Sequence, residues 1–148
     1  MKLKNVKSLD ILKIKKIDLI KYDYIILPGY LIKQLASNTV DVFVNTRSFM
    51  EMNIETVNFY FSQIHRIINK TGIFYCVNRY KKKTSGDIIK FKNFPLDENW
   101  TFEISRKSFS QPLIHEALVR RVSFQNYKLR KELMRLKPYD FEFFRNLM

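Results

Sequence analysis

Two stretches of this chain switch abruptly from apolar to polar. Val40 to Val44 runs into Asn45, Thr46, Arg47, Ser48, Phe49, Met50 and Glu51, and Ile73 to Val77 runs into Asn78, Arg79 and Tyr80. Asn45 and Ser48 offer paired hydrogen-bond donors and acceptors, and Glu51 offers a carboxylate that orients a hydroxyl or takes its proton. Arg79 suits a phosphate or carboxylate. Further on stand Trp100, whose ring can stack on a ligand, and His115, a candidate base. Each has a plainer reading. Asn45 can bond the turn that leaves its strand, and Ser48 can satisfy local backbone. Glu51 can favour the positive end of the helix that follows. Arg79 and Tyr80 can be surface groups, Trp100 a core indole, and His115 a structural histidine beside Glu116.

The elements that must position these residues follow from the apolar pattern. Val40–Thr46 is β-branched and nearly continuous in apolar character, as in a central parallel strand covered on both faces. Asn53 to Asn69 predicts a helix. Asn53 caps it, Glu55 favours its first turn, and Ile54, Val57, Phe61, Ile64 and Ile68 form one stripe. Gly72 suits the left-handed position past the helix end. Ile73–Val77 is a second central-type strand, so Val40 to Val77 has the order of a βαβ crossover with both strands parallel. Ligands of such sheets bind beyond the carboxyl ends of the strands, where the polar tips lie.

Outside this unit the signals are shorter. Leu3 to Leu12 alternates weakly, and Tyr24–Leu27 reads as a strand closed by Pro28 and Gly29. Leu31 to Leu35 predicts one or two helical turns. Tyr80 to Gly86 reads as a basic, flexible loop, and Ile88 to Phe94 as a short strand or arm. Trp100 to Ser105 alternates as a strand, while Pro112 to Val122 fits helix or strand. Tyr127 to Leu136 is a basic helix interrupted by Pro138, with Phe141, Phe143 and Phe144 available to dock it. The 148 residues make one domain: a lead-in over 1–39, a strand–helix–strand core over 40–80, and C-terminal strands with a basic helix over 81–148.

Composition narrows the function classes. With 27 basic against 14 acidic residues the net charge is +13, which attracts polyanions. The lysines are scattered, however, so a generic basic surface is favoured over a nucleic-acid site. One cysteine, Cys76, excludes an internal disulfide, fits a reducing cytoplasm, and reads as a small buried hydrophobe. No signal-peptide core or membrane-length apolar run occurs, although a basic face could rest on a membrane. Two histidines without partners at ligand spacing give no metal site. Phosphate-loop and nucleophile-elbow motifs are missing, so kinase and serine hydrolase readings have no support.

Taken together, Asp41-Val-Phe-Val-Asn45-Thr-Arg-Ser48-Phe49-Met-Glu51-Met52 resembles a motif of the sugar O-methyltransferase family, in which an Asp-x-x-x-Asn strand leads into Ser-Phe-x-Glu-Met. Thr56, Tyr60 and Phe61 in the following helix, and the strand ending Tyr75-Cys76-Val77-Asn78-Arg79-Tyr80, are similar to that family too. Trp100, Ser110-Gln111-Pro112 and Glu116 with Arg120-Arg121 are weaker matches. The resemblance covers about Ile25 to Val122. It implies the C-terminal half of a Rossmann-like class I methyltransferase: α/β, a mixed, mostly parallel sheet with flanking helices, using S-adenosylmethionine on a sugar or glycan hydroxyl. Asn45, Ser48 and Glu51 then line the transfer site, and Asn78, Arg79, Tyr80, Trp100 and His115 the acceptor pocket.

One departure is sharp. Such folds hold the cofactor on a glycine-rich turn, because only glycine lets backbone come that close. This chain has 3 glycines, Gly29, Gly72 and Gly86, none near another. The cofactor half would need at least roughly 60 further residues upstream. The expectation is a truncated, split or degenerate copy that does not bind S-adenosylmethionine alone. Its partner would be a separate N-terminal half or a second copy. Two alternatives stand beside it: a basic nucleic-acid-binding module, and a non-catalytic partner subunit.

Overall fold

The computed structural model describes residues 6–8, 23–84, 87–109, 111 and 113–136. The remainder of the Leu3–Leu12 segment, Gly86, Ser110, Pro112, Pro138 and the phenylalanines beyond it lie outside the described residues. Short strands β1 (Val6–Ser8) and β2 (Tyr24–Ile26) pair in parallel. A 3₁₀ turn over Gly29–Gln34 follows, where helical turns were expected. The main sheet holds β3 (Val40–Thr46), β4 (Ile68–Arg79), β7 (Trp100–Lys107) and β8 (Ile114–Arg121) in the order β3-β4-β8-β7. β3 and β4 are parallel, and β8 runs antiparallel to both β4 and β7. Three strands therefore point one way and β8 alone is reversed. This is the mixed, mostly parallel α/β sheet with flanking helices.

Helix α1 (Ile54–Ile67) connects β3 to β4 as the crossover. The side chain of Asn53 accepts from the Thr56 backbone N–H at 2.8 Å, the cap expected from its type. Val57, Phe61, Ile64 and Ile67 are buried along one stripe and meet Phe74 of β4. Each such side chain contributes about 1.5–3 kcal/mol through burial. The helix stops at Ile67 because Ile68 turns to extended backbone and pairs with Val40. Gly72 is thus no helix cap. Asn69 to Gly72 bulge opposite Asp41, and a Cβ on Gly72 would meet the Ile68 side chain at 2.6 Å and the Asp41 carbonyl oxygen at 3.0 Å. Close approach, not left-handed backbone, calls for glycine there.

Two further expectations are corrected. Lys81–Thr84 is a strand, β5, paired antiparallel with β6 (Asp87–Lys90), rather than a loop. Lys82 lies opposite Ile89, which is buried, so the lysine run is one side of a half-packed hairpin. In addition, β3 is covered on one face only. It sits at the edge of the sheet among the described residues, and Val42 and Val44 are each 55% exposed. The ambiguous segment before Val122 resolves as strand β8. Helix α2 (Leu129–Arg135) docks through Leu129 and Leu133.

Candidate functional site at the carboxyl ends of β3 and β4

Parallel pairing sets Asn45 opposite Cys76 and Thr46 opposite Val77, so both polar tips emerge on one rim. There the side chains of three residues join. Asn78 donates through Nδ2 to Asn45 Oδ1 at 2.9 Å, and Asn45 donates through Nδ2 to Ser48 Oγ at 2.5 Å. Asn78 Nδ2 also reaches Cys76 Sγ at 3.2 Å. Asn78 is fully buried and Asn45 nearly so, while Ser48 is half-buried. The chain of bonds therefore runs from the core outward to Ser48. Asn78 Oδ1 is buried without a partner, an arrangement that costs stability unless a further group meets it. Burial pushes the Cys76 thiol up to about 12, so it is an inert, protonated side chain.

The row continues across the sheet. His115 of β8 is the register partner of Asn78, and its Nε2 lies 3.0 Å from Ser105 Oγ of β7. Asn45, Asn78, His115 and Ser105 thus place one polar side chain on each of the four strands near one end. His115 is buried against Phe91, with ring centroids 4.9 Å apart. That burial lowers its pKa to about 4 against the opposing pull of Glu116. A neutral imidazole with so little basicity is a poor proton acceptor at neutral pH.

Glu51 lies outside, on a 3₁₀ turn over Phe49–Glu51 anchored by the buried Phe49 and Met50. It forms an ion pair with Lys82 of β5. The hydrogen bond from Lys82 holds its carboxyl below the usual range against an opposing desolvation, and the charges of Lys82, Arg79 and Arg47 add to the lowering. A carboxylate so stabilised orients a hydroxyl better than it removes a proton. Arg47 has a left-handed backbone (φ 61°), fixed by its N–H to the Val77 carbonyl oxygen at 2.6 Å.

The structure brings Asn45, Ser48 and Asn78 into one bonded chain and sets Glu51, Arg79 and His115 around it. Tyr80 and Trp100 go elsewhere. Tyr80 is buried and donates its hydroxyl to the Leu136 carbonyl, and burial raises its pKa. Trp100 starts β7 at the opposite end of the sheet, fully buried between Phe74, His65 and the guanidinium of Arg121 at 5.0 Å. No face of its ring is left for a ligand. Sequence reasoning passed over Ser105 and Lys82, because only cross-strand register and the hairpin bring them to His115 and Glu51.

The described residues do not fit the implied cofactor. A Cβ on Gly29 would meet the Tyr60 hydroxyl oxygen at 2.2 Å, and Gly72 is crowded by Ile68, so both glycines serve internal packing. Among the described residues, no group of three or more His, Cys, Asp or Glu could hold a metal ion. No helix among them is long and apolar enough to cross a membrane.

The fold is thus a mixed α/β sheet with a polar rim at its parallel strand ends. No family model matches the chain. No curated protein matches it either. A crystal structure from Sulfolobus solfataricus, assigned to the type 11 methyltransferases, is similar at 19% identity and a TM-score of 0.46, over 71% of this chain and 63% of that one. The present chain therefore spans less than two thirds of that structure's length.

Proposed function

We propose that this chain is the acceptor-binding half of an S-adenosylmethionine-dependent methyltransferase acting on a sugar or glycan hydroxyl. The observation that carries the reading is the bonded chain Asn78–Asn45–Ser48 at adjacent parallel strand ends. These are residues of the segment that resembles the sugar O-methyltransferases. S-adenosylmethionine, held by a separate cofactor-binding half, would supply the methyl group and leave as S-adenosylhomocysteine, with the hydroxyl proton passing to solvent. This chain's own residues bind and orient the acceptor. Ser48 Oγ accepts from Asn45 and keeps its own proton to donate, here to a sugar oxygen. Glu51 accepts from the hydroxyl that is to react and fixes its direction. The edge of β3, unpaired among the described residues, suits pairing with a strand of the cofactor-holding half. The charge of +13 suits work at the cytoplasmic side of an anionic membrane.

Calorimetry with S-adenosylmethionine on the purified chain is expected to show no binding. A micromolar site would overturn the division of labour. Methyl transfer to a glycan acceptor in the presence of the cofactor-holding half is expected to fall sharply in Asn45→Ala and Glu51→Gln. Turnover intact in both variants would remove the proposal.

A further inference from the structure

We propose that Arg47, Arg79 and Lys82 form an anion subsite on this rim, and that the acceptor carries a phosphate ester beside the hydroxyl-binding groups. Arg47 leaves the tip of β3 and reaches Gln111 in the β7–β8 connection, with Nη1 to Oε1 at 3.0 Å. Gln111 sits just ahead of β8, its carbonyl accepting from the Ile114 N–H at 3.1 Å, and β4 lies between β3 and β8, so the Arg47 side chain passes over the end of β4. The last residue of β4 is Arg79. The left-handed backbone of Arg47, tied to Val77 two residues before Arg79, aims the side chain along this course. Lys82 reaches the same rim from β5 through its ion pair with Glu51. Arg47 meets a neutral amide there, and its charge, like those of Arg79 and Lys82, acts on the Glu51 carboxylate.

Guanidinium groups match the oxygens of a phosphate by paired hydrogen bonds, and a lysine adds a point charge. Glu51 has two contacts to choose between. It pairs with Lys82 when the rim is empty, and a phosphate competes for the same ammonium. The subsite rests on the same rim as the proposed transfer site but needs no cofactor and no turnover, so the two fail separately. A chain that binds phosphate and methylates nothing loses only the proposed function. A chain that methylates neutral sugars without binding phosphate loses only the subsite.

The test is calorimetry on the whole chain with glucose 6-phosphate, against glucose, glucuronate and inorganic phosphate. Glucose 6-phosphate is expected to bind, inorganic phosphate more weakly, and glucose not detectably. Affinity should fall at least about tenfold in Arg47→Gln/Arg79→Gln, the loss of one or more charge-assisted hydrogen bonds. It should rise several-fold in Glu51→Gln, which frees Lys82. Lys128→Gln/Lys131→Gln, on or beside α2 away from the rim, removes the same charge and should change nothing. Equal losses in both double variants would mean diffuse attraction to a basic protein and would overturn the subsite. So would binding of glucuronate tighter than glucose 6-phosphate, or no response to Glu51→Gln. A thermal melt of each variant reports that it is folded.

Discussion

The two ends of the main sheet gather similar residues to opposite effect. At the amino end, Trp100 and His65 pack beneath the ion pair of Asp97 with Arg121, and Trp100 Nε1 and His65 Nε2 are buried without partners. Asp97 accepts from Arg121 at 2.5 Å and faces His65 Nδ1 at 3.5 Å, and Trp100 is sealed beneath them. At the carboxyl end, Asn78, Asn45 and Ser48 lead outward, and Arg47, Arg79 and Glu51 remain within reach of solvent. A buried polar cluster that ends on its own ion pair stabilises a fold. One that ends on half-exposed hydroxyl and charged groups is available to a ligand. Burial of titratable residues therefore does not by itself mark a site.

Breaking the amino end should give the largest effect. Trp100→Ala is expected to lower unfolding free energy by about 3–5 kcal/mol in a urea titration. If it lowered stability by less than Asn78→Ala does, the contrast between a sealed end and an open one would be lost. Next comes pH. The folded pKa of His115 lies below its ordinary 6.5, so its contribution is whole above pH 6.5 and is lost as pH falls toward about 4. The loss should reach roughly 2–3 kcal/mol and be absent in His115→Gln. His65, also lowered by burial, adds in the same direction. Asn78→Ala should cost about 1–3 kcal/mol by stranding the Asn45 amide, measured in the same titration. Cys76 should resist a thiol reagent in native buffer and react once unfolded. Smallest of all, Glu51→Gln should leave the melting temperature unmoved, because its pair with Lys82 is exposed to water.

Much of the scaffold was legible beforehand. The apolar stripe of α1, its Asn53 cap and the two strands around it follow from local types and spacing, and coordinates match them within a residue or two at the helix ends. The candidate site was legible as two polar tips. Its internal wiring was not, because hydrogen bonds between Asn45 and Asn78 depend on register between strands far apart in sequence. The Lys81–Thr84 hairpin escaped notice since a lysine run carries no alternating apolar signal, and only Ile89 across from it supplies a buried face. Trp100 and Tyr80 looked like ligand contacts because an aromatic ring beside polar residues reads alike in a core and in a pocket.

By itself the sequence determined the strand–helix–strand unit of β3, α1 and β4, that Cys76 would be buried, and that polar groups would crown the parallel strands. These are consequences of side-chain type repeated over a few residues, where backbone geometry and burial act locally. The tertiary structure alone decided that β3 lies at an edge, that Gly72 serves a bulge, that Trp100 is sealed away, and that Lys82 meets Glu51. Each of those depends on contacts between distant segments, and chain-local chemistry is indifferent to which of several partners a segment will meet.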